Sequence, residues 1–194
     1  QRQLNSFNGY PSVYFNVGAI SSADNSFTGT NNTTTITVFN VYRFPRGTGQ
    51  QVARHLQMGG IQMMVNGEGY AAAGAVRTIS SAWETSTAIA VGASNTNMML
   101  YAQQAPALNT MILNGNDAAK ATGGTGRGAG YNVNGRWYIG LGGSTNAEMN
   151  GNLAEMVVYL GDITTLQRQK IEGYLAHKWG MAANLPANHP YKSE

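Results

Sequence analysis

The stretch "NGNLAEMVVYLGDITTLQRQKIEGYLAHKWG", residues 150–180, changes its hydrophobic period partway along, and that change decides the fold. Up to Gly161 the apolar residues come in a short, partly β-branched run, "NLAEMVVYL", which reads as a strand. After "GDI" the pattern becomes helical. Thr164 can cap a helix with its hydroxyl while Gln167, three residues on, reaches back to the cap amide, the reciprocal arrangement of a capping box. Ile171, Tyr174, Leu175 and Trp179 follow at spacings of three and four and so share one helical face. Gly180 accepts the left-handed conformation that ends a helix, and Pro186 and Pro190 keep it from resuming. The reading is one domain over residues 1–194: a β sandwich over 1–163, an amphipathic helix over 164–180 and an extended tail over 181–194.

Working upstream, Asn-Gly pairs punctuate the chain at Asn66-Gly67, Asn114-Gly115, Asn134-Gly135 and Asn150-Gly151. Both residues tolerate positive φ, so the pair favours the tight turn of a hairpin. Two hairpins are expected: "GGIQMMV" turning at Asn66-Gly67 into "YAAAGAVRT", and "LNTMIL" turning at Asn114-Gly115 into "DAAKAT". "PSVYFNV" alternates Val13, Phe15 and Val17 on one face, whereas "TTITVFNVYRF" is apolar on both, as a central strand covered on each side requires. With "STAIAVGA", "NMMLYAQ", "RWYIGLG" and "NLAEMVVYL" the set reaches about ten strands. No helical pattern interrupts them before Gly161, which disfavours a parallel α/β sheet and predicts an all-β, two-sheet antiparallel jelly-roll sandwich with one C-terminal helix.

Charged residues make up only 11% of the 194 residues, with 25 glycines, so the surface is turn-rich, neutral and polar. The net charge of +3 is scattered, without a basic stripe interleaved with aromatics, so no nucleic-acid partner is expected. Cysteine is absent, which removes disulfides, thiol catalysis and thiolate metal sites. No apolar run approaches the roughly 20 residues that span a bilayer, so no membrane insertion is expected. The first residue is Gln1, not Met, so the expectation is either that something has been removed upstream or that this is one module of a longer chain.

The C-terminal stretch, followed by "LPANHPY", resembles the signature of laminin G-like modules of the concanavalin A-like jelly-roll superfamily, of the type seen in bacteriophage and marine bacterial surface proteins. The match is dense at Glu155, Gln169 to Gly180 and Leu185 to Tyr191. "NGYPSVYFN" resembles that family's early strand, and "TTTITVFNVYRF" its long central one. The resemblance implies a further strand before Pro11. Only Gln1 to Tyr10 is available for it, so this strand is expected to be truncated or supplied by another chain. No cofactor or metal is expected; family members often resemble calcium binders, which leaves calcium an open question here, with Asp24 and its asparagines as the one weak oxygen-rich loop and few acids in the chain.

The opening stretch also gathers Glu172, His177, Lys178 and Trp179. Positions i and i+5 on a helix lie about 140° apart, so Glu172 and His177 do not form an acid–base dyad. The expected role is a fastener: Ile171, Tyr174, Leu175 and Trp179 bury against the sandwich while His177 and Lys178 serve the last carbonyls. "GGTGRGAG", Gly123 to Gly130, lacks a following Lys-Ser or Lys-Thr and an ensuing helix, so it is no phosphate cradle; Arg127, Tyr131 and Asn132 remain adaptable contacts. Glycoside hydrolysis needs two carboxyls about 5 to 10 Å apart, and the nine acids show no alternating pair on a strand. Glu155, alone between Ala154 and Met156, reads as a hydrogen-bonded structural acid. The Met63-Met64 and Met98-Met99 pairs read as core filling.

The functional expectation is a non-catalytic extracellular or virion-surface binding module recognising a glycan or cell surface. Sugars stack on aromatic faces and bond to planar amides, which singles out Tyr70, Tyr131, Asn132 and Asn146 as ligand contacts. The alternative is a structural or decoration subunit of a virion, fibre or sheath whose partner is itself or a scaffold. A third, a glycan hydrolase, would work through Glu155.

Overall fold

The computed structural model describes residues 1–16, 20–22, 35–43, 53–58, 61–65, 75–80, 85–90, 96–105, 108–123, 137–140 and 150–193. Seven strands form one sheet: β1 (Arg2–Phe7), β2 (Tyr10–Asn16), β13 (Asn150–Leu160), β4 (Ile36–Arg43), β9 (Met98–Gln104), β10 (Asn109–Leu113) and β11 (Ala121–Gly123), in that spatial order. Six form the other: β3 (Ile20–Ser21), β12 (Trp137–Ile139), β5 (Ala53–Met58), β6 (Ile61–Val65), β7 (Ala75–Ser80) and β8 (Thr85–Ala90). Every pairing is antiparallel. The expected all-β sandwich with one helix is what forms.

β4 sits at the centre of the larger sheet and shows why both of its faces are apolar. Val38 and Tyr42 point into the core between the sheets with Phe15, Met98, Leu100, Met111 and Leu56. Phe39 and Val41 point the other way, into a second core with Met99, Tyr101, Ile112, Leu175 and Trp179. The methionine pair divides the same way, since successive strand residues face opposite sides: Met98 fills one core and Met99 the other. Helix α1 (Thr165–Lys178) therefore does not seal the gap between the sheets. It forms a third layer on the outer face of the seven-stranded sheet.

Several turns depart from the sequence reading. A strand before Pro11 comes from this chain itself rather than from another: β1 pairs with β2 around Asn8 and Gly9, with φ of 45° and 81°, the two positive values of a tight hairpin turn. The β6–β7 hairpin forms, with Val65 paired to Val76, while its connection, Asn66-Gly67 included, lies outside the described residues. Asn114 and Gly115 do turn, with φ of 50° and 67°, but Asp117–Ala119 makes a 3-10 turn before β11 pairs. Asn150 and Gly151 belong to β13 rather than to a turn, because Gly151 pairs with Phe15.

The helix begins as expected. The Gln167 amide donates to the Thr164 hydroxyl at 3.2 Å, and the Thr164 amide to the Gln167 side-chain oxygen at 2.8 Å. It ends in a Schellman arrangement: Gly180 at φ 69° lets the Met181 amide reach back to the Ala176 carbonyl at 2.7 Å and the Gly180 amide to His177 at 3.3 Å. His177 and Lys178 do not cap these carbonyls with their side chains. The tail is not extended either, since Ala182–Asn184 is a 3-10 turn and Leu185 and His189 are buried.

Candidate functional site

Of the face predicted to bury, Leu175 and Trp179 are buried and Ile171 packs against the same core, but Tyr174 is not part of it. Tyr174 is 55% exposed, whereas Arg168 and Glu172 are buried with Leu175 and Ala176. The polar side chains can turn inward because partners from two distant segments meet them. One guanidinium nitrogen of Arg168 donates to both Glu172 oxygens at 2.7 and 2.8 Å, and the other donates to both Asp117 oxygens at 2.8 and 2.7 Å. His189 Nε2 faces Glu172 Oε2 at 3.2 Å, and His189 Nδ1 accepts the Tyr191 amide at 3.3 Å, so the ring is held as the Nε2–H tautomer. Burial pushes the Glu172 carboxyl above the ordinary carboxylate range, against the pull of Arg168 and His189. This cluster joins the β10 turn, the helix and the tail. Its inner end is sealed, with the side chains of Glu172 and His189 0% and 1% exposed, while Asp117 at the outer end is 47% exposed.

With Arg168 and Glu172 inside, Tyr174 faces water and helps to build a groove. Trp179, 4% exposed, anchors it from below, meeting Phe7 edge-on at 5.9 Å and Tyr10 at 5.6 Å. Its indole N–H donates to Glu155 Oε2 at 2.6 Å, so Glu155 is the hydrogen-bonded acid the sequence suggested. Tyr10, the first residue of β2, rises on one side, and Tyr191 from the tail lies on the helix at Gly173. A Cβ on Gly173 would sit 2.4 Å from that of Tyr191, so only glycine admits this approach. Tyr10, Gly173, Tyr174, His177, Lys178 and Tyr191 together line an open groove of about 540 Å³.

The polar groups of this groove are oriented. Lys178 Nζ donates to the Tyr174 hydroxyl at 2.9 Å and meets Glu155 Oε2 at 2.9 Å, which leaves one N–H unspent. The Tyr174 hydroxyl and then the Glu155 carboxylate hold the ammonium above its usual lysine range. The ammonium also lies 5.2 Å from the Tyr174 and Trp179 ring centroids, bracing both. His177 Nε2 lies 2.9 Å from the Tyr191 carbonyl, a contact in which the ring must donate, so in the neutral ring Nδ1 is an acceptor. Chemically this is a surface with half-exposed aromatic faces, a phenol O–H, one ammonium N–H and one imidazole acceptor.

Tyr70, Tyr131, Asn132, Asn146, Arg127 and Asp24 all lie outside the described residues, as does the Gly124–Gly130 loop. Glu172 and His177 do not meet; the histidine beside Glu172 is His189, which sequence spacing did not link to it. Sequence reasoning also missed Tyr10, Tyr174, Tyr191, His177 and Lys178 as one surface. The signal available was the polar alternative at i, i+4: Arg168 and Glu172 are spaced to pair and to bury together, which turns Tyr174 outward. Among the described residues no group of three or more His, Cys, Asp or Glu side chains gathers to hold a metal ion, and no helix is long and apolar enough to cross a membrane.

No family model matches the chain, and no curated protein matches its sequence. Solved structures do resemble it. Domain 4 of AbnA, a GH43 extracellular arabinanase from Geobacillus stearothermophilus, determined in complex with arabinotriose, superposes with a TM-score of 0.58 at 13% identity, over 86% of this chain and 79% of that one. The SAP-like pentraxin of Limulus polyphemus gives 0.54 at 14% identity, over 80% and 78%. A GH54 α-L-arabinofuranosidase gives 0.60 at 13% identity, over 89% of this chain but 42% of the enzyme. The fold is a jelly-roll sandwich. At such identities the likeness is one of fold, and the chemistry of the site must come from its own residues.

Proposed function

We propose that this chain is a non-catalytic carbohydrate-binding module of the laminin G-like kind, acting outside the cell or on a particle surface, and that the groove over α1 is its binding face. The observation that carries this reading is the convergence of Tyr10 and Tyr174, 48% and 55% exposed, with Tyr191, His177 and Lys178 around one groove. Sugar rings present apolar C–H faces that stack on phenol rings and hydroxyls that bond to oriented donors and acceptors. The likeness to a domain solved with arabinotriose supports a glycan as the ligand class. A non-catalytic role is supported by the burial of Glu172 beyond reach of a substrate, and by Glu155 being committed to Trp179 and Lys178.

Self-assembly by strand exchange is less well supported. Among the described residues, edge strand β1 is interrupted by a register shift between Gln3 and Phe7, β3 has two residues and β11 three, and β8, six residues long, pairs with β7 through a register irregularity; short or irregular edges resist pairing with a neighbour. The test is a glycan array probed with the wild-type chain and with Tyr174→Ala, whose exposed position spares the core. Saturable binding by wild type and its loss in the variant are expected. No binding to any glycan, or identical binding by both, would end the proposal.

A further inference from the structure

The groove carries its own charge balance, and this bears on which sugars it takes. Among the described residues of its lining Lys178 is the one that is permanently charged, and its ammonium is met at 2.9 Å by Glu155, a carboxylate just beneath it. Both groups are partly exposed, at 31% and 22%, and they form a pair of zero net charge. Lys170 and Lys192 do not line the groove, and the Lys192 ammonium is turned onto the carbonyls of Ala183 and Leu185. An anionic group bonded to the remaining N–H of Lys178 would stand about 6 Å from the Glu155 carboxylate, where repulsion offsets roughly half of the attraction to an ammonium at about 3 Å, and what is left must also meet the cost of stripping water from the anion. A sugar hydroxyl meets no such repulsion. It can accept from Lys178 and donate to His177 Nδ1, while the Tyr174 O–H, whose oxygen already accepts from Lys178, donates to a neighbouring hydroxyl.

We infer that the groove selects neutral glycans over uronate-, sialate- or sulfate-bearing ones, and that Glu155 is the specificity-determining residue because it cancels the charge of Lys178. This rests on the reading of the groove as a glycan site. Glu155 need not touch the sugar. It acts by neutralising and positioning Lys178, while its other contact, to the Trp179 indole N–H, would be kept by the side-chain oxygen of a glutamine.

The experiment is calorimetric titration of the full chain with arabinotriose, xylotriose and cellotriose against trigalacturonate and sialyllactose, at about 50 and about 500 mM sodium chloride, where screening lengths are roughly 14 and 4 Å. Wild type should prefer a neutral trisaccharide by about tenfold or more, with an affinity that changes less than about twofold between the two salts. Glu155→Gln, with an uncompensated ammonium, should gain affinity for the acidic sugars by about fivefold or more at low salt, and the gain should vanish at high salt. If wild type binds acidic sugars best, with strong salt dependence and loss in Tyr174→Ala, the groove is a glycan site and the inference is wrong. If binding is neutral but Glu155→Gln, with an unchanged melting temperature, gains nothing, Glu155 is not the determinant. If no sugar binds, or Tyr174→Ala binds like wild type, the site reading itself fails and takes the inference with it.

Discussion

Removing the Arg168 guanidinium tests whether the charged cluster beneath the helix fastens it to the sheet. In Arg168→Met the side chain keeps an apolar stem of similar length but loses four hydrogen bonds to Asp117 and Glu172. The two acids then diverge. Asp117, 47% exposed, regains water, whereas Glu172, with a side chain 0% exposed, keeps only the contact to His189. Breaking one partner out of a buried ion pair costs about 3–5 kcal/mol because the remaining charge is uncompensated. At roughly 2–4 °C per kcal/mol for a chain of this size, the melting temperature should fall by about 6–20 °C. Adding Glu172→Gln removes the stranded charge, so the double variant should be more stable than Arg168→Met alone, a non-additive outcome in a double-mutant cycle. The pH dependence has a definite sign. The Glu172 carboxyl is already raised above 4.5 by burial, and without Arg168 it rises further. A carboxyl with a raised folded pKa weakens the fold as pH climbs above its unfolded value, so the deficit should be largest at neutral pH and shrink toward pH 4.5. Urea unfolding followed by tryptophan fluorescence at neutral and acid pH measures all of this. A loss under about 1 kcal/mol, or strict additivity in the cycle, would refute the fastening role.

Trp179→Ala should destabilise by about 3–5 kcal/mol, through a lost buried ring and the lost indole hydrogen bond to Glu155, whereas Trp179→Phe should cost less; calorimetric melting decides it. Gly173→Ala should displace Tyr191 from the groove and cost about 1–3 kcal/mol, visible as faster proteolysis of the tail and weaker glycan binding. At high pH, burial pushes the Tyr101 phenol up to about 12 and Tyr42 higher still. Their contribution is intact below pH 10, the value both regain on unfolding, and is lost as pH rises toward 12, so ultraviolet titration should show these two ionising together with loss of the fold.

How much of this was legible depended on the range of the interactions. The strand pattern of "TTITVFNVYRF" announced a sheet covered on both faces, and Phe39 beside Val38 confirms it, because alternation reports burial without needing to know what does the burying. The same logic misplaced Tyr174. A spacing of three and four from Ile171 to Trp179 put it on the buried face, yet the helix has a competing face in which Arg168 and Glu172 bury together. Apolar residues score as core in any pattern, whereas a buried charge is legible only when its partners are known, and Asp117 and His189 lie 51 and 17 residues from theirs. The Asn-Gly turns divided in the same way. At Asn114-Gly115 the pair turns locally, but at Asn150-Gly151 the neighbouring strands hold it extended.

By itself the sequence determined the helix, its two caps and the antiparallel strand character of what precedes it. Each of these is satisfied by hydrogen bonds and side-chain periods within a few residues: Thr164 with Gln167, Met181 with Ala176 across Gly180. Tertiary structure alone decided that Arg168 and Glu172 join Leu175 and Trp179 on the buried side and that Tyr174 does not. Burying a guanidinium and a carboxylate is unfavourable until Asp117 and His189 arrive from elsewhere in the chain, and Tyr174 is left outside, where Tyr10 of β2 and Tyr191 of the tail meet it to form the groove.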